Sequence, residues 1–222
     1  MSQGKLVLGT KRYSSWSLRG WLCVRLAGLD VTEEVIPLAQ EETSLRIQSL
    51  SPSGKVPYLE HNGIQTWDSL AIAEYCAEHS AFIWPSDPHA RAFARSISAE
   101  MHAGFMHLRQ ALPMNLGRIN RPRATLLSAD AAQDIIRITA IWSQARKRFG
   151  DGSPWLCGNN FGAVDAMYAP IVTRFLSYGV HLPDDARAYV EAVRAHPLIS
   201  EWYDDAAAEP AAWLASRYED ID

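Results

Sequence analysis

The sequence predicts a small mixed α/β unit followed by an all-helical domain, and three observations predict it. Strand-like apolar runs alternate with helical patterns over roughly the first 80 residues, a proline-bearing segment at 83–89 has no periodicity, and beyond it apolar residues recur at helical spacing. A chain of 222 residues has room for two modest domains. The expected division is 1–82, a linker at 83–89, and 90–222.

Residues 6–8 have strand composition, and Gly9-Thr10 with Lys11-Arg12 ends the strand. Trp16, Leu18 and 22–24 resume an apolar pattern with helical spacing, so a helix is predicted over 15–27, with Gly28 where a left-handed C-cap is wanted. Residues 33–38 can form a second strand, and 41–50 a short helix that Ser51-Pro52 terminates, because proline disfavours helix in its predecessor. Residues 55–60 and 64–67 are short strands joined through His61-Asn62-Gly63, whose Asn-Gly pair takes the positive φ angles of a tight hairpin. Asp68 stands as an N-cap before a helix over 69–78. The order is therefore β-α-β-α-β-β-α, a four-stranded mixed sheet with its own core.

In the second domain Phe93, Ile97, Met101, Phe105, Leu108 and Leu112 advance by fours and threes, predicting one continuous helix of about six turns. Pro113 and Pro122 close that segment. Ser128 can cap a second long helix marked by Ile135, Ile138, Trp142, Ala145 and Phe149, which Gly150-Asp151-Gly152 ends. Further helices are expected over 163–178, 184–195 and 198–208, with another turn or two in 211–218.

Composition narrows the function classes. Hydrophobic residues make up 48% and charged residues 21%, which is ordinary for a soluble protein with a substantial core and argues against disorder. The net charge of -4 supplies no broad basic field for nucleic acid or an acidic membrane surface. The N-terminus lacks a signal-type apolar stretch, and no window approaches the roughly 18 apolar residues of a membrane span, so a cytoplasmic location is expected. Cys23, Cys76 and Cys157 are too scattered for a disulfide framework or a zinc site and read as buried thiols. His102 and His107 lie about 140° apart round a helix, so no metal site is expected.

Ser14, Ser15 and Ser17 sit where the first helix begins. Helix-start N–H groups lack internal partners and carry partial positive charge, so hydroxyls there can serve as caps or hold an anion such as a thiolate. Three local patterns decide the matter: Ser14-Ser15-Trp16-Ser17-Leu18-Arg19 after the first strand, Lys55-Val56-Pro57 opening the third, and Asp68-Ser69-Leu70-Ala71-Ile72 opening the third helix. In this order and spacing, on this succession of elements, they make the chain resemble the cytosolic glutathione transferases over nearly its whole length. Within that family it is most similar to the zeta type, with Trp16 where that type has a cysteine.

The resemblance implies a thioredoxin-like first domain that binds glutathione, a helical domain contributing an electrophile site, and a homodimer without a metal. It implies that Pro57 is cis, that Val56 pairs with the cysteinyl unit through its backbone, and that Lys55 reaches the same peptide. Asp68 would meet the γ-glutamyl ammonium and Ser69 its carboxylate. Ser14 is the first choice of thiol activator and Ser15 the second. Trp16, Met106, Arg109, Met114 and Arg174 are candidates for the electrophile site, and two arginines there favour an anionic electrophile. The implied activity is conjugation of the glutathione thiolate to small electrophiles. The alternatives are isomerisation of an unsaturated diacid, as by maleylacetoacetate isomerase, and a non-catalytic binding protein of the same fold. No cysteine lies between Lys11 and Trp21, so a disulfide-reducing variant ranks below these. Residues 158–174 resemble the family's buried helix, with Asp165 at its start serving folding rather than catalysis.

Overall fold

A computed structural model describes residues 3–221. The first strand, β1 (Gly4–Gly9), pairs in parallel with β2 (Thr32–Ile36) and antiparallel with β3 (Tyr58–His61), which pairs antiparallel with β4 (Ile64–Thr66). The sheet order is β2-β1-β3-β4. Alternation along β1 divides its side chains between two faces. Leu6 and Leu8 enter the main core, whereas Val7 joins a smaller cluster with Ile36, Ile47 and Tyr58 under helix α2 (Thr43–Leu50).

Helix α1 (Ser15–Ala27) is buried along its first ten residues apart from Trp16, because it is covered on two sides. One side packs on α3 (Ser69–His79), the other on α7 (Ala163–Tyr178) of the helical domain. Gly28 ends α1 at φ 67°, and Asn62 and Gly63 turn the β3–β4 hairpin at φ 51° and 77°. The Val56–Pro57 and Trp67–Asp68 peptide bonds are cis.

The helical domain departs from expectation in one respect. The stripe from Phe93 to Leu112 is not one helix: α4 (Pro88–Ala103) stops, and α5 (Met106–Ala111) starts afresh. Gly104 leaves the helical path and Phe105 takes φ 59°, which tucks its ring into the core. The break persists because its polar groups find partners. Leu108 N–H donates to the Asp134 carboxylate at 3.0 Å, and the Arg109 guanidinium donates to the carbonyls of His102 and Gly104. Within the segment 83–89, Ile83 and Trp84 are buried, Asp87 caps α4 and Pro88 begins it.

Helix α7 packs against α1, α4 and α8 (Asp184–Ala195), and Trp142 of α6 (Ala129–Phe149) lies beside its Tyr168 and Phe175; α9 (Pro197–Ala208) follows α8, and a short helix α10 (Ser216–Glu219) follows a single turn at Ala211–Trp213. Helix α7 is buried on all sides, in keeping with an apolar composition all round. Its start is fixed by Asp165, whose carboxylate accepts from Gly162 N–H, Leu156 N–H and Tyr189 O–H at 3.0–3.1 Å. Among the described residues no helix is long and apolar enough to cross a membrane, and no His, Cys, Asp and Glu group could hold a metal ion.

Candidate functional site

The start of α1 lies at a cleft between the sheet unit and the helical domain, with a volume of about 490 Å³. Ser14, Ser15, Trp16, Lys55 and Val56 line it from one side, and Met106, Arg109, Met114 and Arg174 from the other. A second hollow of about 410 Å³ adjoins it, bordered by Trp16, Lys55 and Val56 and continued by Pro57, Asp68, Ser69 and His102. All twelve residues singled out from the sequence thus line one of two neighbouring hollows, with Trp16, Lys55 and Val56 common to both.

Ser14 is the N-cap of α1: its oxygen accepts from Ser17 N–H at 3.3 Å, and its hydroxyl donates to Ser17 Oγ at 2.7 Å. Ser17 Oγ also accepts from Gly9 N–H at 2.9 Å, tying the helix start to the end of β1. Ser15, by contrast, has no side-chain partner among the described residues. The sequence ranks Ser14 narrowly ahead of Ser15; the structure gives Ser14 a capping bond and leaves Ser15's hydroxyl without a partner among the described residues.

Val56 lies just ahead of β3, and neither its N–H nor its C=O makes a hydrogen bond among the described residues. That leaves an edge open to an added extended peptide. Asp68 caps α3 through Oδ1, which accepts from Leu70 N–H at 3.0 Å and Ala71 N–H at 3.4 Å. Its Oδ2 lies 3.1 Å from His102 Nε2. Ser69 Oγ is buried with no partner. Lys55 is exposed at the rim, Met114 is buried and Met106 half-exposed.

The strongest electrostatic feature is a group of arginines around Trp16. The guanidinium groups of Arg19 and Arg109 lie 4.4 and 4.5 Å from its ring. Arg174 is buried nearby, its Nη1 donating to Pro170 O at 3.0 Å and its Nε unpartnered. Arg19 is fully buried and donates only through Nε, to Met167 O. None of the three is paired with a carboxylate among the described residues. Burial, reinforced by the neighbouring cations, pushes Arg19 well below the usual guanidinium range and Arg174 down to about 9; burial alone lowers Arg109.

Five further residues at or beside the site are not singled out by the sequence. Arg19 stands inside the serine pattern, three residues past Trp16 on the same helical face, and that spacing is the cue that could have found it. His102 and the stacked pair Tyr13–Tyr218, with ring centroids 4.6 Å apart, are brought in by packing. Glu219 joins them by accepting from Arg12 Nε at 2.8 Å and from Tyr13 O–H.

A four-stranded α/β unit with this helix start, followed by a helical domain, defines a two-domain fold whose first unit is thioredoxin-like, and the sequence comparisons agree. Residues 13–79 match the family model "Glutathione S-transferase, N-terminal domain" and 128–205 match "Glutathione S-transferase, C-terminal domain". The chain belongs to the glutathione S-transferase family.

Maleylacetoacetate isomerase of Rattus norvegicus is 31% identical over 152 residues, 63% of this chain and 69% of that protein. Protein IN2-1 homolog A of Oryza sativa is 28% identical over 173 residues, 77% of this chain; the match spans 65% of the rice protein, slightly less than two thirds. Among solved structures, glutathione S-transferase unclassified 2 from Bombyx mori superposes with a TM-score of 0.73 at 18% identity, covering 100% of both chains. A glutathione transferase homolog from Burkholderia gl BGR1, solved with bound glutathione, gives 0.69 at 22% identity over 94% of this chain and 100% of that one. These structural likenesses establish the fold.

Proposed function

We propose that the protein is a glutathione-dependent enzyme that adds the glutathione thiolate to a small electrophile bearing a carboxylate. The observation that carries this reading is the convergence of Arg19, Arg109 and Arg174, without carboxylate partners, beside the start of α1. Glutathione lies along Val56 as an added strand, with Lys55 and Pro57 beside it and its γ-glutamyl end at Asp68 and Ser69. A free thiol with a pKa of about 8.5 is only a few per cent ionised at neutral pH. Ser14 turns its O–H from Ser17 to the sulfur without moving a heavy atom, and Ser15 is a second donor. The positive end of α1 and the arginines act in the same direction.

The thiolate attacks an electrophilic carbon, forming the C–S bond as the π electrons move toward the conjugated carboxylate. A solvent proton then completes a stable conjugate. If the adduct instead rotates about its new single bond and expels the thiolate, the product is the other geometric isomer and glutathione is regenerated. The isomerase reading is favoured by the two arginines, Arg109 and Arg174, that line one cleft and by the identity to the rat isomerase. Glutathione is a co-substrate in both, and assembly as a homodimer belongs to the same proposal.

Calorimetric titration with glutathione, paired with an ultraviolet difference spectrum for bound thiolate, tests the reading. Binding with a thiolate band at neutral pH is expected. No binding at millimolar glutathione would favour a non-catalytic binding protein.

A further inference from the structure

We infer that Glu209, the C-cap of α9, is a positioning residue for thiol activation: with Glu219 it holds the loop between β1 and α1 in the shape that presents Ser14 to the glutathione sulfur. The inference rests on the reading of Ser14 as a thiol donor and deepens it.

Residues 10–14 form a tight turn in which Thr10 O accepts from Tyr13 N–H at 3.1 Å and from Ser14 N–H at 2.9 Å. That turn spends neither the Lys11 nor the Arg12 N–H. A buried N–H without a partner costs stability, so a loop of this shape needs an acceptor from elsewhere in the molecule. Glu209 supplies it: Oε1 accepts from Lys11 N–H at 2.5 Å and Oε2 from Arg12 N–H at 3.2 Å. One carboxylate therefore binds two consecutive amides and fixes both peptide planes.

The side chains of the same loop are held by the same C-terminal segment. Glu219 accepts from Arg12 Nε at 2.8 Å, from Arg12 Nη2 at 3.3 Å and from Tyr13 O–H, and that phenol oxygen in turn accepts from Ala215 N–H at 3.3 Å. Lys11 Nζ donates to Asp205 at 2.6 Å and to Glu33 at 2.7 Å, and Lys11 O accepts from Trp202 Nε1 at 3.0 Å. Ser14 follows directly, with its N–H closing the turn and its oxygen capping α1. Glu209 borders neither hollow, so it reaches the sulfur only through the loop.

The test is the thiol pKa of bound glutathione, read from thiolate absorbance between pH 5 and 9, in the full chain as wild type, Ser14→Ala, Glu209→Gln and the double variant. Glutamine has one carbonyl oxygen for two amides, so the loop loses one of its two anchors. Removing a negative charge by itself favours the thiolate, so the sign of the change separates positioning from simple electrostatics. Glu209→Gln is expected to raise the thiol pKa by about half a unit to one unit, a part of what a hydrogen bond from Ser14 contributes, and to lower kcat/KM at pH 7 about threefold to tenfold with recovery by pH 9. In the Ser14→Ala background the same substitution should move the thiol pKa by less than about 0.2 unit. A thiol pKa that is unchanged or lower in Glu209→Gln, or a rise of the same size in the Ser14→Ala background, overturns the inference whatever happens to the melting temperature. If Glu209→Gln does not fold, Glu219→Ala, which frees the side chains of Arg12 and Tyr13, is read in the same way. Wild-type protein that does not bind glutathione, or an unchanged thiol pKa in Ser14→Ala, overturns the serine reading and this inference with it; a rise in Ser14→Ala without one in Glu209→Gln overturns this inference alone.

Discussion

Ser14→Ala removes two interactions at once, and their separate sizes make it an informative substitution. The serine oxygen caps α1 by accepting from Ser17 N–H, and loss of such a cap costs about 1 kcal/mol of stability. In the proposed complex its hydroxyl also donates to a thiolate, and a hydrogen bond to a charged group contributes about 1.5–3 kcal/mol. At about 1.4 kcal/mol per unit, that lowers the thiol pKa by about one to two units. From a free value of about 8.5, the ionised fraction at pH 7 then rises from roughly 3% to between a quarter and three quarters. Ser14→Ala should therefore reduce kcat/KM about tenfold at pH 7, with the gap closing by pH 9, where the thiol ionises unaided. Ser15→Ala leaves the cap intact and should not change thermal stability, while shifting the pH–rate profile in the same direction if Ser15 is a donor. The assay is kcat/KM for a carboxylate-bearing electrophile from pH 6 to 9, with bound-thiol titration by ultraviolet difference. Profiles of both single variants that superimpose on the wild type would refute serine activation of the thiol.

Arg174→Met should raise KM for a dicarboxylate electrophile about tenfold while leaving glutathione affinity unchanged, and replacing a buried unpaired cation should leave the melting temperature equal or higher. A lower melting temperature with unchanged KM would assign Arg174 to folding alone. Asp165 has its pKa pushed up to about 6 by burial, against the lowering effect of its hydrogen bonds. Because that value lies above the unfolded one, its contribution is present below about pH 4 and lost as pH rises through about 6, a change of about 3 kcal/mol. Asp165→Asn cannot accept from every donor, so it should destabilise by about 1–3 kcal/mol at pH 4.5, with a gap that narrows by pH 7 in urea unfolding; a widening gap would contradict the sign. Burial pushes the Cys76 and Cys157 thiols up to about 12 and raises Cys23 as well, so native protein should react slowly with an aromatic disulfide reagent at pH 8 and expose three thiols in denaturant. A fast equivalent in the native state would identify a reactive cysteine that the structure does not contain.

The parts of the fold legible in the sequence are those set by local chemistry. Helix α1 begins after a serine cap and ends at a glycine with positive φ, and both residues are readable one at a time. The Asn62-Gly63 hairpin and the Asp68 cap are legible for the same reason. The break between α4 and α5 is not, because Phe105 and Leu108 keep the apolar phase of a continuous helix. Only Gly104 hinted at it, and the partner that sustains the break, Asp134, comes from another helix. The site divides in the same way. Serines, Val56 and Asp68 belong to short patterns whose spacing carries their chemistry, whereas His102 and the Tyr13–Tyr218 pair meet only through packing between distant segments.

Trp16 and its arginines separate stability from function most clearly. Arg19 comes from α1, Arg109 from α5 and Arg174 from α7, so three elements independently deliver a cation to one region. Contacts with an indole face contribute about 0.5–2 kcal/mol each, whereas taking an unpaired ion out of water costs several kcal/mol. The arrangement therefore opposes folding of the free protein; burial first, and then repulsion from Arg174 and Arg109 at Arg19 and from Arg109 at Arg174, lower both guanidinium groups in the same sense. An anion in the adjoining cleft reverses the sign, since it supplies the missing countercharge where solvent is largely excluded. The same field favours a thiolate over a thiol and a developing carboxylate-conjugated carbanion over the neutral electrophile. In the proposed reaction one cluster would serve substrate capture, thiol ionisation and the addition step, which would make its cost to stability intelligible as part of catalysis.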